Sequence, residues 1–127
     1  MASAVFLAGG AQAAPQADVP QGRWIGRLEC TRAVLICADL PVVVVIDPPA
    51  PDQSYRATLT YRIGGADYPG PALSFALNPD LHTLTAHAVD FDQHQFWVLR
   101  LDGDAMSGLR MVNTRFTDRI IYLVRDR

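Results

Sequence analysis

The chain has 127 residues, enough for one domain that closes a core of its own. Its eleven basic residues are all arginine and Glu29 is the single glutamate among thirteen acids, so the charged residues that clothe exposed helices are nearly absent. A formal charge of −2 with scattered arginines offers no basic stripe for a phosphate backbone, which excludes nucleic acid as an expected partner, and no stretch approaches the ~20 apolar residues of a transmembrane helix.

Residues 1–13 hold no charge and pair the apolar run Ala2-Ser3-Ala4-Val5-Phe6-Leu7-Ala8 with the small-residue site Ala11-Gln12-Ala13. That is the pattern of a secretory signal ending in its cleavage site, although only Met1 precedes the run where a signal normally carries basic residues. Residues 14–21 read as a flexible linker with prolines at 15 and 20, and residues 22–127 as the folded domain. The expected compartment is periplasmic or extracellular.

The first strand is expected over residues 23–30. Trp24, Leu28 and Cys30 share one face with Gly26, and Arg23, Arg27 and Glu29 share the other. Cys30 and Cys37 follow an odd separation, so a disulfide requires the chain to turn between them, around Thr31-Arg32-Ala33. Two buried thiols or a two-cysteine metal site are the alternatives; the metal site lacks the further cysteine or histidine partners that zinc takes. Residues 40–46 carry the unbroken run Val42-Val43-Val44-Val45, which fits a strand covered on both faces, and the prolines at 48, 49 and 51 end it. Residues 55–63 alternate most cleanly, with Tyr55, Ala57, Leu59, Tyr61 and Ile63 on one face and Arg56, Thr58, Thr60 and Arg62 on the other. Gly64-Gly65-Ala66-Asp67 then turns the chain. Strands over 73–77 and 81–89 flank Asn78-Pro79-Asp80, and strands over 96–101 and 105–113 flank the tight Asp102-Gly103-Asp104 connection. A last strand over 118–125 ends in Arg125. The pattern predicts an all-β domain, a single antiparallel up-and-down barrel of about eight strands, with no room for crossover helices.

Gly22-Arg23-Trp24 on the first strand, the eight-strand meander and the arginine near the chain end resemble the calycin superfamily, the lipocalin-like β-barrels. The segment Leu101-Asp102-Gly103-Asp104-Ala105-Met106-Ser107-Gly108 is similar to the late hairpin of bacterial lipocalin-like domains. The resemblance implies that Trp24 packs across a closed barrel end against an arginine of the last strand, Arg125 or, failing that, Arg119. It also implies a ligand-binding interior. Tyr55, Leu59, Tyr61, Phe75, Trp97 and Leu99 are the expected lining, with Leu109 and Met111 beside them, although the same side chains would equally fill a packed core. The chain is shorter than typical lipocalins and shows no evident C-terminal helix, which leaves room for related bacterial barrels such as avidin-like proteins or the small secreted inhibitors of metalloproteases.

One polar constellation stands outside this pattern. His87, Asp90, Asp92 and His94 bracket a strand-loop-strand junction, where mixed nitrogen and oxygen donors suit a divalent transition ion or acid-base work, or simply serve a turn. His82 falls on the opposite strand face from His87. The serines at 54, 74 and 107 lie in no nucleophile elbow, and no glycine-rich phosphate loop is present. No cofactor, catalytic group or metal is therefore expected. The leading expectation is an exported lipocalin-like binding protein for a small apolar or amphipathic molecule. A secreted protein-protein module such as an enzyme inhibitor is the second, its partner a protein target, and a small-barrel isomerase, cyclase or hydratase the third.

Overall fold

A computed structural model describes residues 19–31, 37–90, 92–113 and 116–126, and among these the regular structure is entirely β. The expected signal segment and most of the linker lie outside the described residues, as do Arg32 and Ala33. The strands are β1 (Gly22–Cys30), β2 (Leu40–Ile46), β3 (Tyr55–Ile63), β4 (Ala66–Pro69), β5 (Leu73–Asn78), β6 (Thr83–Asp90), β7 (Gln93–Asp102), β8 (Ala105–Val112) and β9 (Phe116–Arg125).

Each barrel strand pairs antiparallel with its neighbours in the order β2-β1-β9-β8-β7-β6-β5-β3, and β2 pairs again with β3 to close the ring. The result is an eight-stranded closed antiparallel barrel with up-and-down topology. Closure removes the unpaired edges that an open sheet of this composition would present. β4 is the ninth strand and stands outside the ring, paired only with the far end of β3 through Ile63↔Ala66 to Thr60↔Pro69. It was not expected, because Gly64-Gly65-Ala66-Asp67 reads as the end of a strand. The two glycines, at φ 59 and 82, form the hairpin turn itself.

Alternation decides what fills the barrel. Trp24 and Leu28 from β1, Val42, Val44 and Ile46 from β2, Ala57 and Leu59 from β3, Leu73 and Phe75 from β5, and Leu84 and Ala86 from β6 all point inward. Trp97, Leu99 and Leu101 from β7, Met106 from β8, and Ile121 and Leu123 from β9 complete a continuous core. The valine run of β2 is covered on one face only, since Val45 is 40% exposed while Val42 and Val44 are buried.

The expected interior positions of β8 are reversed. Met106 and Val112 are buried, so Gly108 and Arg110 share their inward face and Leu109 and Met111 point outward. Gly108 stands opposite Leu99, and a Cβ there would lie 1.8 Å from the Val98 carbonyl oxygen, so this close approach of β7 to β8 admits only glycine. On β9 the register shifts between Thr117 and Arg119. That irregularity puts the Asp118 side chain inside, where it meets Arg110.

Candidate functional site

Three regions carry the polar chemistry: the two barrel ends and the outer wall. One end holds the start of β1 and the end of β9, where Arg125 is in register with Trp24. The Trp24 indole Nε1 donates to the Pro20 carbonyl at 2.8 Å, and the Arg125 guanidinium lies 4.3 Å from the centre of the indole ring. Arg125 also donates from Nη1 to the Gln21 carbonyl and from Nη2 to the Val19 carbonyl, each at 2.8 Å, and from Nε to Asp104 at 3.1 Å. Five donors in a rigid fork let one side chain hold the stacked ring and the chain entering the barrel at once. Gly22 belongs to the same device. Its φ of 131 is unfavourable for any other residue, and an added Cβ would sit 3.1 Å from Arg125 Nη1. Arg119 lies at the opposite end.

The residues expected to line a ligand site divide into two groups. Leu59, Phe75, Trp97 and Leu99 are buried to within 2% and pack against one another and their neighbours as core. Tyr55 and Tyr61 are half-buried against the rim of that core. Trp24 at one end and Trp97 toward the other are both buried in this core.

The second end gathers buried polar groups. Arg110 Nε donates to Asp118 Oδ1 at 3.0 Å and Nη2 donates to Oδ2, a forked pair in which each side chain is only about a tenth exposed. The same guanidinium lies 5.6 Å from the Trp97 ring, whose Nε1 donates to Gln95 Oε1 at 3.2 Å. Arg119 Nη1 donates to the carbonyls of Ala38 at 2.6 Å and Leu28 at 3.2 Å. Burial, then the charge of Arg110, press the Arg119 guanidinium below its ordinary value. Beside it Cys30 and Cys37 form a disulfide with Cα atoms 6.0 Å apart. No signal in the sequence marked Arg110, because its partner is placed by the irregularity in β9.

On the outside, a groove of about 650 Å³ runs over β1, β2 and the β3–β4 hairpin. Ile25, Val43, Val45 and Val124 form its apolar floor, and Arg23 and Arg62 stand at its rim. Both arginines are held in exposed ion pairs, Arg23 with Asp126 at 2.9 Å and Arg62 with Asp67 at 3.1 Å. Ile25, Val45 and Val124 are 37%, 40% and 53% exposed. Val43 and Val45 belong to the run expected to be covered on both faces, and the structure instead turns them to the outer wall, with Val45 open to solvent.

The histidine constellation is also on the outside. His87 on β6 and His94 on β7 lie diagonally across the ladder, since His87 pairs with Phe96 and Val89 with His94. Asp92 occupies the turn between the strands at φ 61, and His82 precedes β6. Among the described residues, no group of three histidine, cysteine or acidic side chains could hold a metal ion.

No protein-family model matches the chain, and no curated protein or solved structure matches it either.

Proposed function

We propose that the protein is an exported barrel of the calycin type that works as a binding module and meets a protein partner on its outer wall. The filled interior carries this reading. An eight-stranded barrel either fills with side chains or holds one small ligand, and here Trp24, Phe75, Trp97, Leu59 and Leu99 are buried as core. The groove over Ile25, Val43, Val45 and Val124 instead leaves apolar side chains open to solvent between two arginines. Its rim adds specificity. Exposed ion pairs contribute little to stability, so Arg23 and Arg62 can exchange Asp126 and Asp67 for carboxylates of a partner. The partner surface that fits is therefore aliphatic at its centre and acidic at its edges. Export is supported by the disulfide, which persists in oxidising compartments. Calycin membership is supported by the stacking of Arg125 on Trp24 across one barrel end.

A small apolar or amphipathic molecule held in the barrel mouth is the second reading. It rests on Tyr61, half-buried at the rim and within electrostatic reach of Arg119.

A photo-crosslinking phenylalanine at position 45, compared with one at position 98 on the opposite wall, separates the two in the source cells. A discrete protein adduct from position 45 and none from position 98 is the expected result. An absent or identical adduct at both positions overturns the outer-wall reading, and a small molecule retained in the native mass spectrum of the purified protein favours the mouth.

A further inference from the structure

The second barrel end holds more positive charge than it pairs. Arg110 and Arg119 stand opposite each other on β8 and β9, and the Asp118 carboxylate is taken by the Arg110 fork. Among the described residues Arg119 has no ion-pair partner. Its Nη1 reaches the carbonyls of Ala38 and Leu28 and, at 3.3 Å, Cys30 Sγ. A guanidinium half-buried beside a like charge favours any anion that forms next to it, and the sulfur it touches can become one. We propose that the Cys30–Cys37 bridge is a polarised disulfide that exchanges with an external dithiol, Cys37 being the sulfur attacked and Cys30 the sulfur released.

The step is thiol–disulfide exchange. A thiolate of the dithiol attacks Cys37 Sγ and forms a mixed disulfide there, while the bond to Cys30 breaks and its electron pair leaves on Cys30 Sγ. The second thiolate of the dithiol then displaces Cys37, so the protein ends with two reduced cysteines and the reductant with one internal disulfide. Two electrons pass from the dithiol to the protein. A sulfur leaves faster as its thiolate is better stabilised, and Arg119 Nη1 already stands where that charge develops. Cys37 is the more approachable sulfur: exposed Ala38 and Asp39 follow it at the rim, whereas Cys30 ends β1 with Arg119 against it.

The acids around Cys30 limit the effect without cancelling it. Glu29 is paired with Arg27, and Asp118 with Arg110. Asp39 opposes Arg119, since its Oδ1 accepts the Cys30 amide at 2.9 Å and so brings negative charge toward the same sulfur. Tyr61 lies within electrostatic reach of Arg119 and is neutral below the phenol range. The bridge therefore persists in an oxidising compartment and opens where a dithiol meets it, whatever the outer groove binds.

The test is reduction of the folded, full-length protein, quenched with acid, alkylated and read by peptide mass spectrometry. Glutathione, a monothiol, should be trapped on Cys37 with Cys30 left free to alkylate. With dithiothreitol, Arg119→Met should slow reduction about tenfold, Arg119→Lys should restore most of the rate, and Asp39→Asn, which keeps an acceptor for the Cys30 amide, should speed it. A purely structural role for Arg119 predicts the reverse, because loss of its bond to the Ala38 carbonyl would loosen the chain beside Cys37 and speed reduction. Far-ultraviolet circular dichroism of each variant keeps a folding defect distinct from a change of rate. If Arg119→Met does not fold, the trapping site in the unsubstituted protein and the Asp39→Asn rate decide. Glutathione trapped on Cys30, a rate unchanged or raised in folded Arg119→Met, an Asp39→Asn rate that does not rise, or a bridge reduced only as fast as the protein unfolds overturns the proposal.

Discussion

Each end of the barrel pairs a tryptophan with an arginine, and the two arginines are spent differently. At the first end Arg125 lies over Trp24 and donates to the carbonyls of Val19 and Gln21, so its fork ties the incoming chain across the barrel. At the second end Arg110 lies near Trp97 but gives its fork to the Asp118 carboxylate. The first arrangement satisfies main-chain oxygens that the chain must place somewhere in any case, and it adds packing over an indole. The second carries two charges out of water and recovers the cost only through their mutual bond. One end is therefore a plug whose parts each stabilise the fold, and the other is a coupled pair whose parts are stable only together.

The plug makes the larger prediction. Trp24 is fully buried, and Trp24→Ala should cost about 3 to 5 kcal/mol, the range for deleting a large core aromatic. Equilibrium unfolding in urea measures it through the shift in midpoint. A loss under about 1 kcal/mol, the level of an ordinary surface change, would mean that the end stays closed without the indole.

How far the sequence carried this comparison depends on which end is considered. The plug was legible, because Gly22-Arg23-Trp24 opens the first strand and Arg125 ends the last, the residues on which the resemblance rests. The bounds of β2 and β3 were legible too, since prolines and glycines punctuate them. The other end was hidden. Period-two alternation favours the hydrophobic face and points Leu109 and Met111 inward. The observed face is the opposite one, because Arg110 has a carboxylate waiting on β9. That carboxylate is inside through the register shift beside Asp118, a feature with no mark in the alternation. β4 escaped for a related reason: four residues ending in Pro69 carry too little pattern to register as a strand. The outer groove was hidden because the valine run reads as a strand covered on both faces, and because Val124 meets Ile25 only through the pairing of the first and last strands.

The pair at the second end can be broken by a double-mutant cycle. Asp118→Leu leaves the Arg110 charge buried without its partner, and Arg110→Met does the same to Asp118, so each should cost about 3 kcal/mol or more. Arg110→Met combined with Asp118→Leu removes both charges and keeps the volume, so the double variant should lose less than either single one. Additive losses would show that the two groups are not coupled, and that the contrast with the plug is one of degree only.

The disulfide gives the smallest effect and the finest test of how that end is held. Cys30 and Cys37 are seven residues apart, and in the chain-entropy model closing so short a loop contributes about 2.5 kcal/mol by restricting the unfolded chain. The chain flanking the bridge is already fastened by other bonds: Arg119 Nη1 to the Ala38 carbonyl, the Cys30 amide to Asp39 Oδ1 at 2.9 Å, and Thr31 Oγ1 to the Thr117 carbonyl at 2.6 Å. These act on the native state and the crosslink on the unfolded one, so the contributions are separable. Cys30→Ser with Cys37→Ser should lower stability by about 2.5 kcal/mol while leaving the near-ultraviolet circular dichroism of the two tryptophans unchanged. A loss well above that figure, with an altered tryptophan spectrum, would mean that the bridge shapes the folded end itself. In that case Arg119, which stands 3.3 Å from Cys30 Sγ, is the residue through which the change would reach β9.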